Sequence, residues 1–320
     1  MGNKQMKTSL VVTVLDEEKT IVFFLKSILE QTKKPNEIII VDAGSADKTI
    51  QKIKKWQKKL PIRLIVKPGV NRSQGRNIAI KNAKYQNIAI SDAGCILASS
   101  WLEEITKPLK NKGISAVAGN YQPLTKNPFQ ECLAAYTCAD IYQKDKRQFL
   151  PSSRSIAFEK RVWQKVDGYP KKLNYCEDLV FDQKIIRAGF PFHFSPKAIA
   201  YWPQRKNLRE AFKQFYNYAF GDGQVFFSHY QTHSIKIILI FLRYLAGLIA
   251  ILLAAKSPAW RPVSAGLVLA YLFWPIVKNK KMLSWRALLI APAIQILTDI
   301  AVMAGTTNGI LKSAKRKIVI

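Results

Sequence analysis

Asn87-Ile-Ala-Ile-Ser-Asp-Ala-Gly-Cys95 runs four mostly apolar, strand-like residues straight into the carboxylate of Asp92, with Ala93 and Gly94 behind it. Asp and Gly are ordinary loop residues, so a plain turn is one reading. A ligand site on the rim of a sheet is the other. The segments around this stretch decide between them.

Working outward, the chain repeats a strand-then-helix rhythm from Thr8 to about Gly119. Ser9–Leu15, Glu37–Asp42, Ile62–Val66 and Asn87–Ser91 are short β-branched or apolar runs. Helical spacing follows each, over Glu18–Gln31, Asp47–Lys59, Asn71–Lys84 and Ser99–Lys110. Continuous apolar strands alternating with amphipathic helices predict an α/β fold with a parallel sheet covered on both faces. In that frame Asp16 and Glu17 follow the first strand, Asp42 the second and Asp92 the fourth. All stand at the carboxyl ends of parallel strands, where open α/β sheets bind ligands.

Acids on that rim suit ribose hydroxyls and base N–H groups, because an ionised carboxylate only accepts hydrogen bonds. A diphosphate can join them through Mg²⁺ or Mn²⁺ held by oxygen ligands. The chain has neither a Walker phosphate loop nor a G-x-G-x-x-G fingerprint, which argues against an NTPase or a dehydrogenase.

The 320 residues are 48% hydrophobic, enough for a substantial core, and carry a formal charge of +29. Such a charge suits nucleic acid or an anionic membrane surface, or reflects a Lys-rich background. The basic residues are spread over helices and loops instead of one aromatic-laced stripe, so no nucleic-acid partner is expected. Cys95, Cys132, Cys138 and Cys176 form no C-x-x-C pair and read as reduced thiols of a cytosolic domain. The N-terminal segment has too short an apolar run for a signal peptide, and MGNKQM lacks the Ser/Thr of a myristoylation signal.

From Ser9 to Tyr218 the chain resembles the family 2 glycosyltransferases of GT-A fold. Val12-Thr-Val-Leu-Asp-Glu-Glu18 resembles their opening P-T-x-N-E-E strand and turn, with Thr13 in place of Pro and Asp16 in place of Asn. Val41-Asp-Ala-Gly-Ser-Ala-Asp-Lys-Thr49 is similar to V-D-D-G-S-x-D-x-T, and Gly75-Arg-Asn77 to the A-R-N helix start. Asp92-Ala-Gly94 stands in place of the D-x-D metal motif, and Tyr175-Cys-Glu-Asp178 resembles the acceptor-side E-D.

The resemblance implies a nucleoside-diphosphate-sugar donor surrounded by Thr13, Leu15, Glu17, Asp42, Gly75, Arg76, Asp92, Ala93 and Gly94. Within that set Asp42 would hold the nucleoside, Arg76 would help with the nucleotide, and Asp92 would ligate a divalent cation. It also implies Asp178 as catalytic base, with Glu177 orienting the acceptor or the backbone, and inversion at the anomeric carbon. Without the family, Glu177 and Asp178 would read as acids favouring a helix N-terminus. Two departures matter: Gly94 removes one metal oxygen, and Ala43 replaces the commoner acid. Arg154 and Arg205 are candidates to meet a phosphate through bidentate geometry. Trp202-Pro-Gln-Arg205 only poorly matches the Q-x-x-R-W signature of processive relatives, so processive synthesis is disfavoured. His229 and His233 are spaced i, i+4, but with no third ligand near they read as juxtamembrane polar residues.

After Asn207 the composition changes. Leu208, Ala211, Phe212, Phe215 and Ala219 make one helical face flanked by basic residues, which fits an interfacial helix as well as a core-packing one. Three apolar segments follow, Ile237–Ala255, Pro262–Val277 and Ala287–Ala304, each near or just under spanning length. Arg243 and Asp299 inside them are costly in lipid and should face protein, water or a head group. The basic loops at Lys278–Arg286 and Lys312–Lys317 both belong inside, which predicts two spans as a hairpin and leaves the third segment open, a re-entrant or interfacial course being the alternative to a full span.

The expected organisation is therefore a catalytic domain over 1–203, an amphipathic linker over 204–234 and a membrane region over 235–320. The expected location is the cell membrane with the catalytic domain cytoplasmic. The expected activity is transfer of a sugar to a lipid-linked or membrane-proximal saccharide. A polyprenyl-phosphate sugar synthase and a non-catalytic nucleotide-sugar scaffold are the alternatives.

Overall fold

Val, Ile and Leu dominate β1 (Thr8–Val14), β2 (Glu37–Asp42) and β4 (Asn87–Ile90), and β1 and β2 are almost wholly buried. Strands so uniformly apolar must be covered on both faces. The computed structural model describes residues 6–138, 149–230 and 232–316. The remaining strands are β3 (Ile62–Val66), β5 (Ile96–Leu97), β6 (Ala116–Leu124), β7 (Ile156–Glu159) and β8 (Phe192–Pro203). They complete an eight-stranded sheet in the order β3-β2-β1-β4-β7-β6-β8-β5.

The first four strands pair in parallel, as the alternating pattern predicts, with β1 between β2 and β4 and β3 at the edge. The rest of the sheet departs from an all-parallel expectation. β7 pairs antiparallel with both β4 and β6, and β5 antiparallel with β8. β6 in turn pairs in parallel with β8, so the sheet is mixed beyond β4.

Between the strands lie α1 (Ile21–Leu29), α2 (Thr49–Trp56), α3 (Arg72–Asn82), α4 (Trp101–Thr106), α6 (Lys160–Lys165) and α7 (Glu177–Arg187), with α5 (Pro128–Thr137) inserted after β6. α1 buries Ile21, Phe24, Leu25 and Ile28, one face at helical spacing. On the sheet, Val11, Ile39, Val41 and Ile90 pack with Ala79 and Ile80 of α3 and Phe181 and Ile185 of α7 in one cluster. That cluster fixes the starts of α3 and α7 near the carboxyl ends of β1, β2 and β4.

The described residues fall into two compact units: one holds those up to 124 and from 149 to 203, the other 125–138 and 204–316. In the second unit α5 packs with α8 (Leu208–Gln224) and α11 (Trp285–Arg316), and α9 (Ser234–Lys256) and α10 (Arg261–Asn279) stand between the latter two in sequence. Ala211 and Phe215 of α8 lie against Ala287, Ala291, Ile294 and Ala301 of α11 and Leu133 of α5. The apolar face of α8, for which an interfacial position was one reading, is thus occupied by protein.

Three helices, Ser234–Lys256, Pro258–Asn279 and Trp285–Lys315, are long and apolar enough to cross a membrane. The third extends well beyond the apolar segment seen in the sequence and runs unbroken past Gly305 and Gly309. Its polar final turns stay helical because they press on α8. A Cβ at Gly305 would lie 2.3 Å from the Tyr216 carbonyl oxygen, and one at Gly309 2.2 Å from that of Phe220. Small residues let backbones approach to this degree. Arg243 and Asp299 find each other: they form an ion pair, with Tyr271 Oη donating to Asp299 Oδ2 at 2.7 Å and Gln295 Nε2 to Oδ1 at 2.8 Å.

Gly309→Ala should lower the unfolding midpoint in detergent, at an overpacking cost of about 1–3 kcal/mol. Gly247→Ala, whose Cβ would meet nothing within 4 Å in α9, should be neutral or stabilising. Equal midpoints for the two variants would contradict the close α8–α11 approach.

Candidate functional site

Two loops at the carboxyl ends of β1 and β2 are laced together. Asp16 N donates to Ser45 Oγ at 2.9 Å, and Ala46 N returns a bond to Asp16 Oδ1 at 2.8 Å. Glu17 N reaches Thr49 Oγ1 at 2.8 Å, and Glu18 N reaches Asp47 Oδ2 at 3.0 Å. Asp16 sits at φ 54°, a left-handed conformation that Asp adopts more readily than most residues. Leu15, beside it, is 54% exposed and presents an apolar surface on the rim.

Asp42 is fully buried, and its carboxylate serves the turn that follows. Oδ1 accepts from Gly44 N at 2.8 Å and Ser45 N at 2.7 Å, and Oδ2 accepts from Ser45 Oγ at 2.7 Å. Asp42, expected to hold the nucleoside, anchors a tight loop at this position.

Gly75 brings α3 down on the end of β1. A Cβ there would lie 2.9 Å from the Thr13 methyl, so a larger residue would push the helix start away. A capping box between Asn71 and Gln74 starts α3 at that point. The next residue, Arg76, is 2% exposed and carries its guanidinium between two acids. Nη1 lies 2.6 Å from Glu177 Oε1 and Nη2 2.9 Å from Asp92 Oδ1. Arg76, expected to help with the nucleotide, is paired with two carboxylates, which compensate its buried charge.

One cation cannot serve both acids equally. Burial by itself would raise the Asp92 carboxyl, but Arg76, and after it Arg154 and Arg72, hold it below the usual carboxylate range. Glu177 goes the other way: burial, and then the neighbouring Asp178, push it up despite the ion pair with Arg76. Both acids acting on Arg76 overcome its burial and keep it charged.

Two further arginines face this centre. Arg154 stacks on Trp202, its guanidinium carbon 3.8 Å from the ring centroid, and bonds Ser152 Oγ at 2.6 Å. Arg72 lies over the Tyr175 ring at 5.2 Å, and its backbone N–H donates to Asn174 Oδ1 at 3.1 Å. Aromatic stacking holds each fork in a fixed plane.

Cys176 adopts φ 62°, an uncommon strain for a side-chain-bearing residue, and turns the chain so that Glu177 and Asp178 open α7. Asp178 Oδ1 accepts from Leu179 N at 3.0 Å and Oδ2 from Ser152 Oγ at 3.4 Å. Ala93 is buried behind Asp92, whereas a Cβ on Gly94 would meet nothing within 4 Å. The missing second acid is a matter of chemistry, not of space.

Asp92, Arg76, Glu177 and Asp178 are therefore brought together from α3, α7 and the end of β4, with Arg72 and Arg154 beside them. Arg205 belongs to the other unit, where its Nε donates to Gln214 Oε1 at 2.7 Å. His233 Nδ1 lies 3.2 Å from Asp222 Oδ2. Among the described residues no three His, Cys, Asp or Glu side chains form a metal cage. Sequence reading missed Arg72, whose only signal is its place one turn before Arg76, and Ser152, which carries none.

A sheet of this order, with its acids and arginines on one rim, is that of a GT-A transferase. Residues 9–153 match the family described as Glycosyl transferase family 2, so the chain carries a family 2 glycosyltransferase domain and is a glycosyltransferase. It is 23% identical over 224 residues to the O-antigen chain rhamnosyltransferase RfbN of Salmonella typhimurium, covering 66% of this chain and 71% of that one. It is 24% identical over 261 residues to the poly-beta-1,6-N-acetyl-D-glucosamine synthase of Staphylococcus epidermidis, covering 75% of this chain and 61% of that protein's length. Among solved structures, the mannosyltransferase PcManGT from Pyrobaculum calidifontis in complex with GDP-Man and Mn²⁺ aligns with a TM-score of 0.58 at 17% identity, over 98% of this chain and 88% of that one. S. aureus TarS 1–349 in complex with UDP-GlcNAc aligns with a TM-score of 0.51 at 17% identity, over 98% and 92%.

Arg76→Met should destabilise the protein by about 3–5 kcal/mol near neutral pH, because it leaves the buried Glu177 and the partly exposed Asp92 without their cation. The depressed Asp92 carboxyl contributes stability above the ordinary carboxylate value and loses it as pH falls through its own lower value. The penalty should therefore shrink toward acid pH in urea unfolding, and a pH-independent penalty would contradict the pairing.

Proposed function

We propose that the chain transfers a sugar from a nucleoside diphosphate to a glycan acceptor at a membrane, with inversion at the anomeric carbon. The observation that carries this reading is the joining of Asp92 to Glu177–Asp178 through Arg76, with Arg72 and Arg154 flanking them. It puts a carboxylate base and a cationic surface for a leaving diphosphate within one site.

In the proposed reaction the laced loops after β1 and β2 shape the nucleoside end of the cleft. Asp42 contributes by fixing that loop, and Thr13, Leu15 and Glu17 line its neighbourhood. Arg154 and Arg72 face the diphosphate and take up charge as the bond to the anomeric carbon breaks. Asp178 accepts the proton of the attacking acceptor hydroxyl, a role worth roughly 10²–10⁴-fold in rate. Glu177, tied to Arg76, holds the start of α7 so that Asp178 stays in place.

A divalent cation fits this site in one way. Asp92 Oδ1 is taken by Arg76, so a hard cation would find a single protein carboxylate oxygen and draw its remaining ligands from phosphate and water. Bound so, it would neutralise the departing diphosphate. The Mn²⁺ and GDP-Man of the Pyrobaculum mannosyltransferase structure support a cation in this role.

The proposed location is the cell membrane, with α9, α10 and α11 inserted and the catalytic unit on the cytoplasmic side among anionic head groups. The three spanning-length helices and the basic charge of the chain support this, as do surface-glycan relatives such as the O-antigen rhamnosyltransferase. A lipid-linked saccharide is the acceptor class that such a location favours.

Asp178→Asn should lower turnover by roughly 10²–10⁴-fold while leaving the thermal shift produced by a nucleoside-diphosphate sugar intact. Near-normal turnover would remove Asp178 as base and favour a phosphate nucleophile that needs none. In a panel of uridine, guanosine and thymidine diphosphate sugars, stabilisation should increase with Mn²⁺. Asp92→Ala should abolish that increment, and Gly94→Asp, for which there is room, should enlarge it. An increment unchanged by both substitutions would exclude Asp92 as the cation ligand.

A further inference from the structure

One acid in this region has no place in the mechanism above. Asp182 lies on α7 one helical turn beyond Asp178, so the two share a face of the helix. It is 1% exposed, and neither carboxyl oxygen has a hydrogen-bond partner among the described residues. A carboxylate buried in this way, without a protein donor among the described residues, is costly to ionise.

The charges that face it do not reverse this. Glu177 and Asp178 on its own helix are both acidic. From α3 it feels Arg76, but that guanidinium is already bound to Asp92 and Glu177. From the loop before α7 it faces Tyr169, which is buried, hydrogen-bonded to Ser153 and stacked on Phe181 at 3.8 Å. Burial first, then Asp178, raise the Asp182 carboxyl well above the usual range, with Arg76 opposing and Glu177 adding to the rise.

We infer that Asp182 is a positioning residue that works as a protonated acid at neutral pH, keeping one negative charge out of the acceptor side while Asp178 works there as a carboxylate. The inference rests on the proposed glycosyl transfer. Its physical logic is the number of like charges. Asp92, Glu177 and Asp178 already face an anionic donor with one buried guanidinium between them. A fourth carboxylate would repel both the diphosphate and Asp178, whereas the neutral acid adds no charge to a set of three acids that Arg76, Arg154 and Arg72 offset. Ionisation of Asp182 then sets an upper pH limit on donor binding and on folding.

The sign follows from the raised value. Stability from the neutral acid is fully present below the unfolded carboxyl value and is lost as pH rises through the folded one. Asp182→Asn keeps the shape and cannot ionise. In the full-length protein in detergent, the unfolding midpoint of the wild type should fall relative to Asp182→Asn as pH rises. The wild-type KM for the donor should climb on the alkaline side, by up to about tenfold per pH unit, while that of the variant stays flat. Infrared difference spectra at neutral pH should show a protonated-carboxyl carbonyl band in the wild type that the variant lacks.

Parallel midpoint curves, or the absence of that band difference, would overturn the assignment. If the variant fails to fold, loss of the wild-type band between neutral and alkaline pH decides the matter, and a band absent throughout defeats the inference. A protein that transfers sugar from no donor would defeat the proposed function instead, leaving the infrared and thermal results to judge Asp182 separately.

Discussion

Arg76 carries a full charge into a space closed to water, between carboxylates that reach it from residue 92 on one side and residue 177 on the other. The second partner is 101 residues distant in sequence, so the pairing ties α3 and the end of β4 to the start of α7. Few arrangements of these segments satisfy a buried guanidinium, and that scarcity of solutions specifies the site. Thr13, Gly75, the capping box at Asn71 and the left-handed turn at Cys176 all act toward the same end. They bring two helix starts to the place where Arg76 can be satisfied.

Much of this was legible in the sequence because it depends on local pattern. The first four strands and their helices follow from periodicity and β-branched runs, with boundaries displaced by no more than four residues. The acids at the strand ends follow from chain order and the geometry of parallel sheets. What pattern could not supply was the commitment of each side chain. Asp42 looks identical on paper whether its carboxylate faces a ligand or anchors Gly44 and Ser45. Arg76 looks like a phosphate residue until Glu177 arrives from far along the chain. The antiparallel entry of β7 was hidden for a related reason, since nothing local to Ile156–Glu159 records the direction from which the chain returns.

The helical unit shows the same division. Hydropathy finds its three long segments, but not the partners of Arg243 and Asp299, which lie on different helices and meet through packing. The outer turns of α11 are poorer in apolar residues than its middle, so composition alone ends the segment too early. Their helical state belongs to the interface with α8, where glycine stands against backbone.

That interface also bears on biosynthesis. α11 leaves the ribosome after α8, α9 and α10, so the small-residue face of α8 emerges long before its partner exists. Until then Ala211, Phe215 and Gly223 lack the contacts that α11 supplies. The face of α8 closes only when α11 packs on it, so a chain cut between α8 and Gly309 leaves that face open.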